Sequence, residues 1–235
     1  MNMLAPTLAL ALVALPAQAG QWTGGLELGF SNTAGNSRDT SLNTRFELKR
    51  ANDLWSHEFH GDAYHARSDG ERTAERHSLG YKPRRELGPR DYVFGTLRYE
   101  RDRFADILAR WTALAGYGRT LYETETTELE AEVGAGARRT RYDLDPDGLD
   151  GHEPILYVGG RFAHELSDSA RFVQTLRVEF GHDNTWTESV SSLTLRVTDA
   201  VSARLSHTIR RNSAIEGARG RRTDHVTGVN MVYSF

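Results

Sequence analysis

Two residues of this sequence could form the centre of a hydrolytic site. Ser191 and His207 fall on neighbouring predicted strands joined by a three-residue turn, Thr198–Ala200, so their side chains are expected opposite each other on one face. Nucleophilic catalysis also requires a third group that orients the base, and the sequence offers no Asn or Asp of the right parity. We therefore predict no catalytic residue and no enzyme, and keep a lipid hydrolase as a remote alternative.

The histidines and carboxylates do not have the spacing of a metal site. His57 and His60 have opposite strand parity, whereas His57 and His65 would lie roughly 26 Å apart along a strand. Residues 143–148, Asp-Leu-Asp-Pro-Asp-Gly, resemble the start of a calcium loop, but Pro154 stands at the twelfth position, where that motif needs Glu. We expect an acidic turn here, no metal site and no bound cofactor.

A third set of charged residues shares the polar face of the predicted strands. Arginine and glutamate recur two residues apart, as in Arg98 and Glu100, which brings guanidinium and carboxylate groups of neighbouring strands together. Such groups could line a narrow polar pore or close it through bidentate pairs, and the pattern leaves both open. The predicted inward-facing charges are Arg45, Glu47, Glu58, Asp62, Arg84, Glu86, Arg98, Glu100, Glu130, Glu132, Arg177 and Glu179.

The elements that must position these residues are β-strands. Apolar and polar residues alternate almost everywhere after residue 19, the signature of strands with one apolar and one polar face. Twelve such segments fall at roughly 22–30, 38–50, 55–66, 75–86, 92–101, 110–121, 127–141, 155–165, 170–181, 187–197, 201–211 and 223–235. No convincing amphipathic helix interrupts them.

Connections between the segments alternate between short turns and mostly longer polar loops, the pattern of a transmembrane β-barrel. The sequence thus predicts an all-β fold, an antiparallel up-and-down barrel of about 12 strands. A soluble sandwich or lipocalin-like barrel would also alternate, but the charge density of the polar face and aromatic residues near strand ends favour the membrane barrel. The predicted aromatic girdles comprise Trp22, Phe30, Trp55, Tyr99, Trp111, Phe172 and Phe180.

Composition narrows the possible functions further. The 235 residues contain no cysteine, which excludes a disulfide framework, a thiolate metal site and a cysteine nucleophile. The net charge of −3 argues against a general nucleic-acid binder, so no nucleic-acid partner is expected. Mean hydropathy is negative, at −0.56, as expected of a barrel in which only alternate residues face lipid.

Both ends of the chain carry features of an exported protein. Residues 1–19 hold an apolar core and end in Ala17-Gln18-Ala19, which predicts a cleaved signal peptide for Sec-type export and leaves residues 20–235 as the barrel. The alternative is a buried N-terminal helix. Gly228, Met231, Tyr233 and Phe235 resemble the C-terminal targeting signal of outer-membrane proteins, which implies a barrel-assembly machine as partner. An ordinary last strand that ends in Phe is the alternative.

Arginines cluster where the longer loops leave the strands. Guanidinium groups are well shaped for bidentate contacts with phosphate, so these residues are predicted to bind lipopolysaccharide in the outer leaflet. A solvated loop surface is the equal alternative. The candidates are Arg101, Arg103, Arg139, Arg141 and Arg211.

Four segments resemble the YdiY family. They are residues 35–42, 73–80, 98–104 and 115–119, which read GNSRDTSL, TAERHSLG, RYERDRF and AGYGR. The resemblance covers nearly all of the chain after residue 19 and implies a salt-induced barrel in the outer membrane of a Gram-negative bacterium. Because the family has no established substrate, it implies no catalytic residue. We expect a narrow porin-like channel for small polar solutes or ions, with a non-conducting structural barrel as the alternative.

Overall fold

The computed structural model describes residues 22–34, 38–68, 71–103, 107–142, 151–213 and 223–235. Twelve antiparallel strands pair in sequence order, and the last pairs with the first to close a barrel. They are β1 Trp22–Ala34, β2 Arg38–Ala51, β3 Trp55–Ser68, β4 Glu71–Glu86, β5 Asp91–Asp102, β6 Ile107–Glu123, β7 Thr127–Tyr142, β8 Gly151–Ser167, β9 Ala170–Gly181, β10 Thr185–Arg196, β11 Val201–Asn212 and β12 Thr223–Ser234. The predicted fold class and strand number are confirmed. Within these residues, no helix is long and apolar enough to cross a bilayer.

Several strands extend further than predicted, mainly at the end of the barrel that carries the longer connections. We call this the loop end, and the opposite end the turn end. β4 begins at Glu71 rather than 75, β6 at Ile107 rather than 110, and β8 at Gly151 rather than 155. The predicted boundaries were wrong here because the ladder continues beyond the apolar band. Register shifts, such as the one between Ile107 and Ala109, also break the alternation.

The two faces of the barrel differ as the alternation predicts. Large apolar side chains point outward and remain exposed, among them Leu79, Val133, Leu156 and Val229. Charged side chains point inward and are buried, as for Glu27, Arg110 and Glu179. An apolar exterior around a polar interior is the reverse of a soluble protein, and it is the distribution that a barrel in a lipid bilayer requires.

Aromatic side chains lie near both ends of the outer face. Trp22 and Trp55 are exposed at the turn end, and Trp111 and Phe180 are exposed near the loop end. Tyr99 packs on Trp111, with ring centroids 4.8 Å apart, and Phe172 packs on Phe162 at 6.4 Å. The side chain of Phe30, the seventh predicted girdle residue, lies outside the described part of the structure.

One sector of the interior is packed like the core of a soluble protein. Tyr92 and Phe94 of β5 form a buried cluster with Leu114 of β6 and with Ile155 and Tyr157 of β8. Inward-facing glycines of β6 to β8 leave room for it, since a Cβ at Gly116, Gly118 or Gly159 would collide with one of these rings. We call this group the aromatic cluster.

The barrel closes through a short ladder between β1 and β12. Gly25 to Leu28 pair with Met231 to Ser234, and the backbones of Gly24 and Phe235 exchange two hydrogen bonds of 3.0 Å. Met231, Tyr233 and Phe235 point outward and are exposed, whereas Gly228 has the opposite parity. The residues of the predicted C-terminal signal therefore include the strand edge that completes the barrel.

Candidate functional site inside the barrel

Glu132 of β7 is the centre of a first polar network, beside the aromatic cluster. Its carboxylate accepts hydrogen bonds from Lys82 Nζ at 2.6 Å and from the hydroxyls of Tyr92 and Tyr157, each at 3.0 Å. Lys82 belongs to β4, so this ion pair spans the interior between two strands that are not neighbours. The Glu132 network therefore connects the aromatic cluster to β4 and β7.

A second ion pair connects β4 and β7 beside the Lys82–Glu132 pair, two residues nearer the turn end on each strand. Arg84 donates to Glu86 and to Glu130, each at 2.6 Å, and its guanidinium lies 3.4 Å from the centroid of the Tyr92 ring. Two salt bridges and a cation–π contact thus fix the orientation of Arg84. The sequence predicted these charges to face inward, and this is where the structure places them.

Glu179 of β9 is the centre of a second network, nearer the loop end. Its side chain is fully buried and lies 2.7 Å from Arg98 Nη2, 3.5 Å from Arg138 Nη1 and 3.8 Å from Arg177 Nη2. Arg138 also pairs with Glu153 at 2.6 Å. One carboxylate therefore holds guanidinium groups from β5, β7 and β9 together.

Trp186 packs against two of these arginines. The guanidinium of Arg98 lies 4.4 Å from the indole centroid and that of Arg177 lies 5.6 Å from it. The indole is almost completely buried inside the barrel. Two cation–π contacts and a shared carboxylate thus leave both guanidinium groups little freedom to rotate.

A polar cavity of about 550 Å³ remains beside these networks. Its lining extends from Trp186 to Thr194 along β10, which corresponds to roughly 20 Å after allowing for strand tilt. Nine basic and seven acidic residues line it. No described residue of β6 belongs to the lining, because the aromatic cluster covers that strand. The interior is therefore neither empty nor completely filled by side chains.

All twelve charges predicted to face inward do so. Nine of them line the cavity, namely Arg45, Glu47, Glu58, Asp62, Arg98, Glu100, Glu130, Glu132 and Arg177. The other three, Arg84, Glu86 and Glu179, belong to the networks above. Sequence reasoning did not predict these roles for Lys82, Arg138 or Trp186. Strand parity would have placed Lys82 and Arg138 inside, although Arg138 was grouped with the arginines of the loop ends, and Trp186 precedes the predicted strand 187–197.

The predicted pairing of Ser191 with His207 holds at the level of the backbone, since the two are register partners. Their side chains, however, turn away from each other. The Ser191 hydroxyl donates to Gln174 Oε1 on β9, and His207 Nδ1 lies 2.7 Å from Thr227 Oγ1 on β12. The sequence offers no Asn or Asp to orient the base, and in the structure the described partner of His207 is Thr227, whereas Gln174 bonds to the serine. No hydrogen bond joins Ser191 to His207 among the described contacts, so a nucleophile–base pair is not formed.

Substitution of these two residues should leave ester hydrolysis unchanged. We expect Ser191→Ala and His207→Ala to show the same rate as the unmodified protein with a p-nitrophenyl acyl ester in detergent micelles, because no nucleophile–base hydrogen bond exists to be lost. A rate that falls in both variants would contradict this and indicate a hydrolytic site on the outer face.

The remaining predicted sites lie at the loop end or outside the described residues. Ala17, Ala19 and the acidic turn at 143–148 fall outside them. No group of three histidine, aspartate or glutamate side chains in the described ranges is arranged to hold a metal ion. Arg139, Arg141 and Arg211 are exposed. Arg103 is exposed and pairs with Glu75 at 3.4 Å, and Arg101 is half-buried.

Comparison with known proteins gives a family match over most of the chain. The model of a family described as "Protein of unknown function, DUF481" matches residues 26–235. The chain is 29% identical over 216 residues to the uncharacterized protein YdiY of Escherichia coli K12, which covers 90% of this chain and 82% of that protein.

Three solved structures with a similar fold are two porins and an outer membrane channel. The NanC porin has a TM-score of 0.58 at 10% identity, covering 90% of this chain and 98% of its own. The KdgM porin in complex with disordered oligogalacturonate has a TM-score of 0.53 at 6% identity, covering 90% and 99%. An outer membrane channel from Pseudomonas putida F1 has a TM-score of 0.52 at 12% identity, covering 94% and 97%. At such identities the likeness is one of fold.

Proposed function

This chain belongs to the DUF481 family of proteins of unknown function, and from the interior of its barrel we propose that it is a narrow channel. The channel would carry small polar solutes or ions across the outer membrane of a Gram-negative bacterium. An outward-facing apolar surface with aromatic residues near both ends supports a place in a bilayer. The porins that share the fold support a transport role.

The polar cavity is the observation that carries the proposal. A barrel with a purely structural role has no need of a polar cavity of about 550 Å³ that extends roughly 20 Å along the barrel. Because charges of both signs line it, selectivity between cations and anions should be weak and set by the narrowest ring of charges. The aromatic cluster and the Glu132 network narrow the passage to one side of the barrel.

Single-channel recording tests this function directly. Protein refolded in detergent and reconstituted in a planar bilayer should produce discrete current steps that increase with salt concentration. Folding is checked beforehand by the different gel mobility of heated and unheated samples, and heat-denatured protein serves as the control. Folded protein that gives no steps would contradict the channel.

The second candidate function is a non-conducting structural or surface barrel. It is favoured by the packing around Glu132, which accepts three hydrogen bonds and fixes side chains of β4, β5 and β8 across the interior. Comparison of the unmodified protein with Lys82→Ala separates the two functions. If the passage conducts, removal of this cavity-lining side chain should enlarge the steps, because the β4–β7 link is lost. If the interior is closed, both proteins should be silent.

The remaining features fit a protein at the cell surface, and we include them in the proposal. Exposed arginines at the loop end, including Arg139 and Arg141, would contact lipopolysaccharide phosphates. Sec-type export and insertion by barrel-assembly machinery would precede this, with Tyr233 and Phe235 presented on the last strand. A role in adaptation to salt would follow from the YdiY resemblance.

A further inference from the structure

Four arginines that line the cavity keep N–H groups without a hydrogen-bond partner. The unbonded atoms are Nε of Arg76, Nε and Nη1 of Arg98, Nε of Arg177 and Nη1 of Arg210. All four residues line the cavity, and each unbonded atom is buried. Because an unbonded N–H group in a protein interior is costly, these donors are expected to meet an acceptor that enters the cavity.

The four guanidinium groups are held in place on their other edges. Arg76 pairs with Asp62 at 3.3 Å, and Arg210 pairs with Glu188 at 2.6 Å. Arg98 and Arg177 share Glu179 and pack on Trp186. Each group therefore keeps at least one N–H without a partner while the rest of the guanidinium is held in a fixed position, which lowers the entropic cost of binding a ligand. We call these four residues the arginine cluster.

The cavity lacks acceptors rather than donors. Among the described lining residues, six buried side-chain atoms have no hydrogen-bond partner, and five of them are arginine nitrogens, the sixth being Nδ1 of His60. Basic residues also outnumber acidic ones in the lining, nine to seven. Both observations favour an anion over a cation or a neutral solute. Arg98 is 5% exposed, so its unbonded N–H groups belong to the interior and not to a solvated surface.

We propose that the arginine cluster binds small oxyanions inside the barrel, in the first place the carboxylate of a polar organic acid. Arg98 and Arg177 share Glu179, so their remaining N–H groups can bond to different oxygens of one oxyanion, a geometry that chloride cannot use. Binding at this site does not depend on the proposed channel function, and only the role of the site in transport rests on it. Phosphate shares the same chemistry, and the experiment includes it.

Equilibrium binding tests the site without any current. Full-length protein in detergent is titrated with sodium glucuronate, with inorganic phosphate and with uncharged glucose at constant ionic strength, and intrinsic tryptophan fluorescence is followed. Because Trp186 packs on Arg98 and Arg177, an occupied site should change its emission. We expect a saturable change with glucuronate, none with glucose, and loss of the signal in Trp186→Phe.

A matched pair of variants locates the site. Arg177→Gln should raise the apparent Kd for glucuronate at least about tenfold, whereas Arg161→Gln should change it less than about twofold. The Arg161→Gln variant removes the same charge from the lining of the same cavity. Arg161, however, pairs with Glu128 and has no unbonded buried nitrogen among the described atoms. Equal effects of the two variants would overturn the proposal, because binding would then depend on overall charge.

The outcomes also separate this site from the channel. Saturable binding of glucuronate by a barrel that gives no current steps would support the site and contradict the channel. Current steps without saturable binding of either oxyanion would overturn the site alone. Tighter binding of phosphate than of glucuronate would support an oxyanion site and assign it to phosphate-bearing solutes.

Discussion

Glu179→Gln should destabilise the barrel by about 3–5 kcal/mol, the cost of leaving buried charges without their partner. The Glu179 side chain is fully buried, and its carboxylate faces guanidinium groups from three different strands. Glutamine keeps the size and part of the hydrogen bonding but removes the charge. The positive charges of Arg98, Arg138 and Arg177 would then repel one another, and of these three only Arg138 has another ion pair among the described contacts, with Glu153.

The effect is measured by urea unfolding in detergent micelles, followed by tryptophan fluorescence. Glu86→Gln is the matched control, because this carboxylate also pairs with an inward-facing arginine, at 2.6 Å, but is 31% exposed. Solvent screens such a pair, so its loss should cost less than about 1 kcal/mol. Similar midpoints for the two variants would show that the Glu179 network does not hold the interior together.

Gly136→Ala should be the most damaging single methyl group that can be added to β7. A Cβ at this position would lie against the carbonyl oxygen of Ala113 and 2.5 Å from the Cα of Leu114. Both atoms belong to the backbone of β6, so neither can rotate away as a side chain could. The strands would have to separate at a point where Leu114 contributes to the aromatic cluster, at a cost of about 1–3 kcal/mol or more.

Gly160→Ala provides the comparison on the neighbouring strand. Its Cβ would meet the carbonyl oxygen of Glu130 at 3.5 Å, which is ordinary van der Waals contact. We expect this variant to fold like the unmodified protein, and Gly136→Ala to give a lower yield of heat-modifiable barrel and a lower urea midpoint. Equal yields and midpoints would mean that β6 and β7 can separate without disturbing the cluster.

The sequence was sufficient to predict the strands and their faces, but not the contacts inside the barrel. Period-two alternation identifies which residues point inward, because a strand has only two faces. It does not identify the partner of an inward-facing charge. Arg98 and Glu179 are 81 residues apart, and they meet because of the circumference and stagger of the closed barrel. From the sequence alone, every inward-facing glutamate is an equivalent candidate for the ion-pair partner of Arg98.

The aromatic cluster was missed for a related reason. Tyr92, Phe94 and Tyr157 stand at inward positions, where a membrane barrel is expected to be polar. Their significance emerges only with the glycines beside them, of which Gly116 and Gly118 come from the neighbouring strand β6. For Ser191 and His207, turn length correctly predicted the backbone register. It did not predict the hydrogen-bond partners of the two side chains, which are Gln174 and Thr227 on the flanking strands.

The packed sector also makes the barrel wall mechanically uneven. Side chains of the aromatic cluster are close-packed against β5, β6 and β8, and close-packed interiors resist compression. The part of the wall that borders the cavity has no such backing. A change in lateral pressure or in bilayer thickness would therefore deform the barrel mainly on the cavity side. The cross-section of the cavity, and not the shape of the whole barrel, would respond to stress in the surrounding membrane.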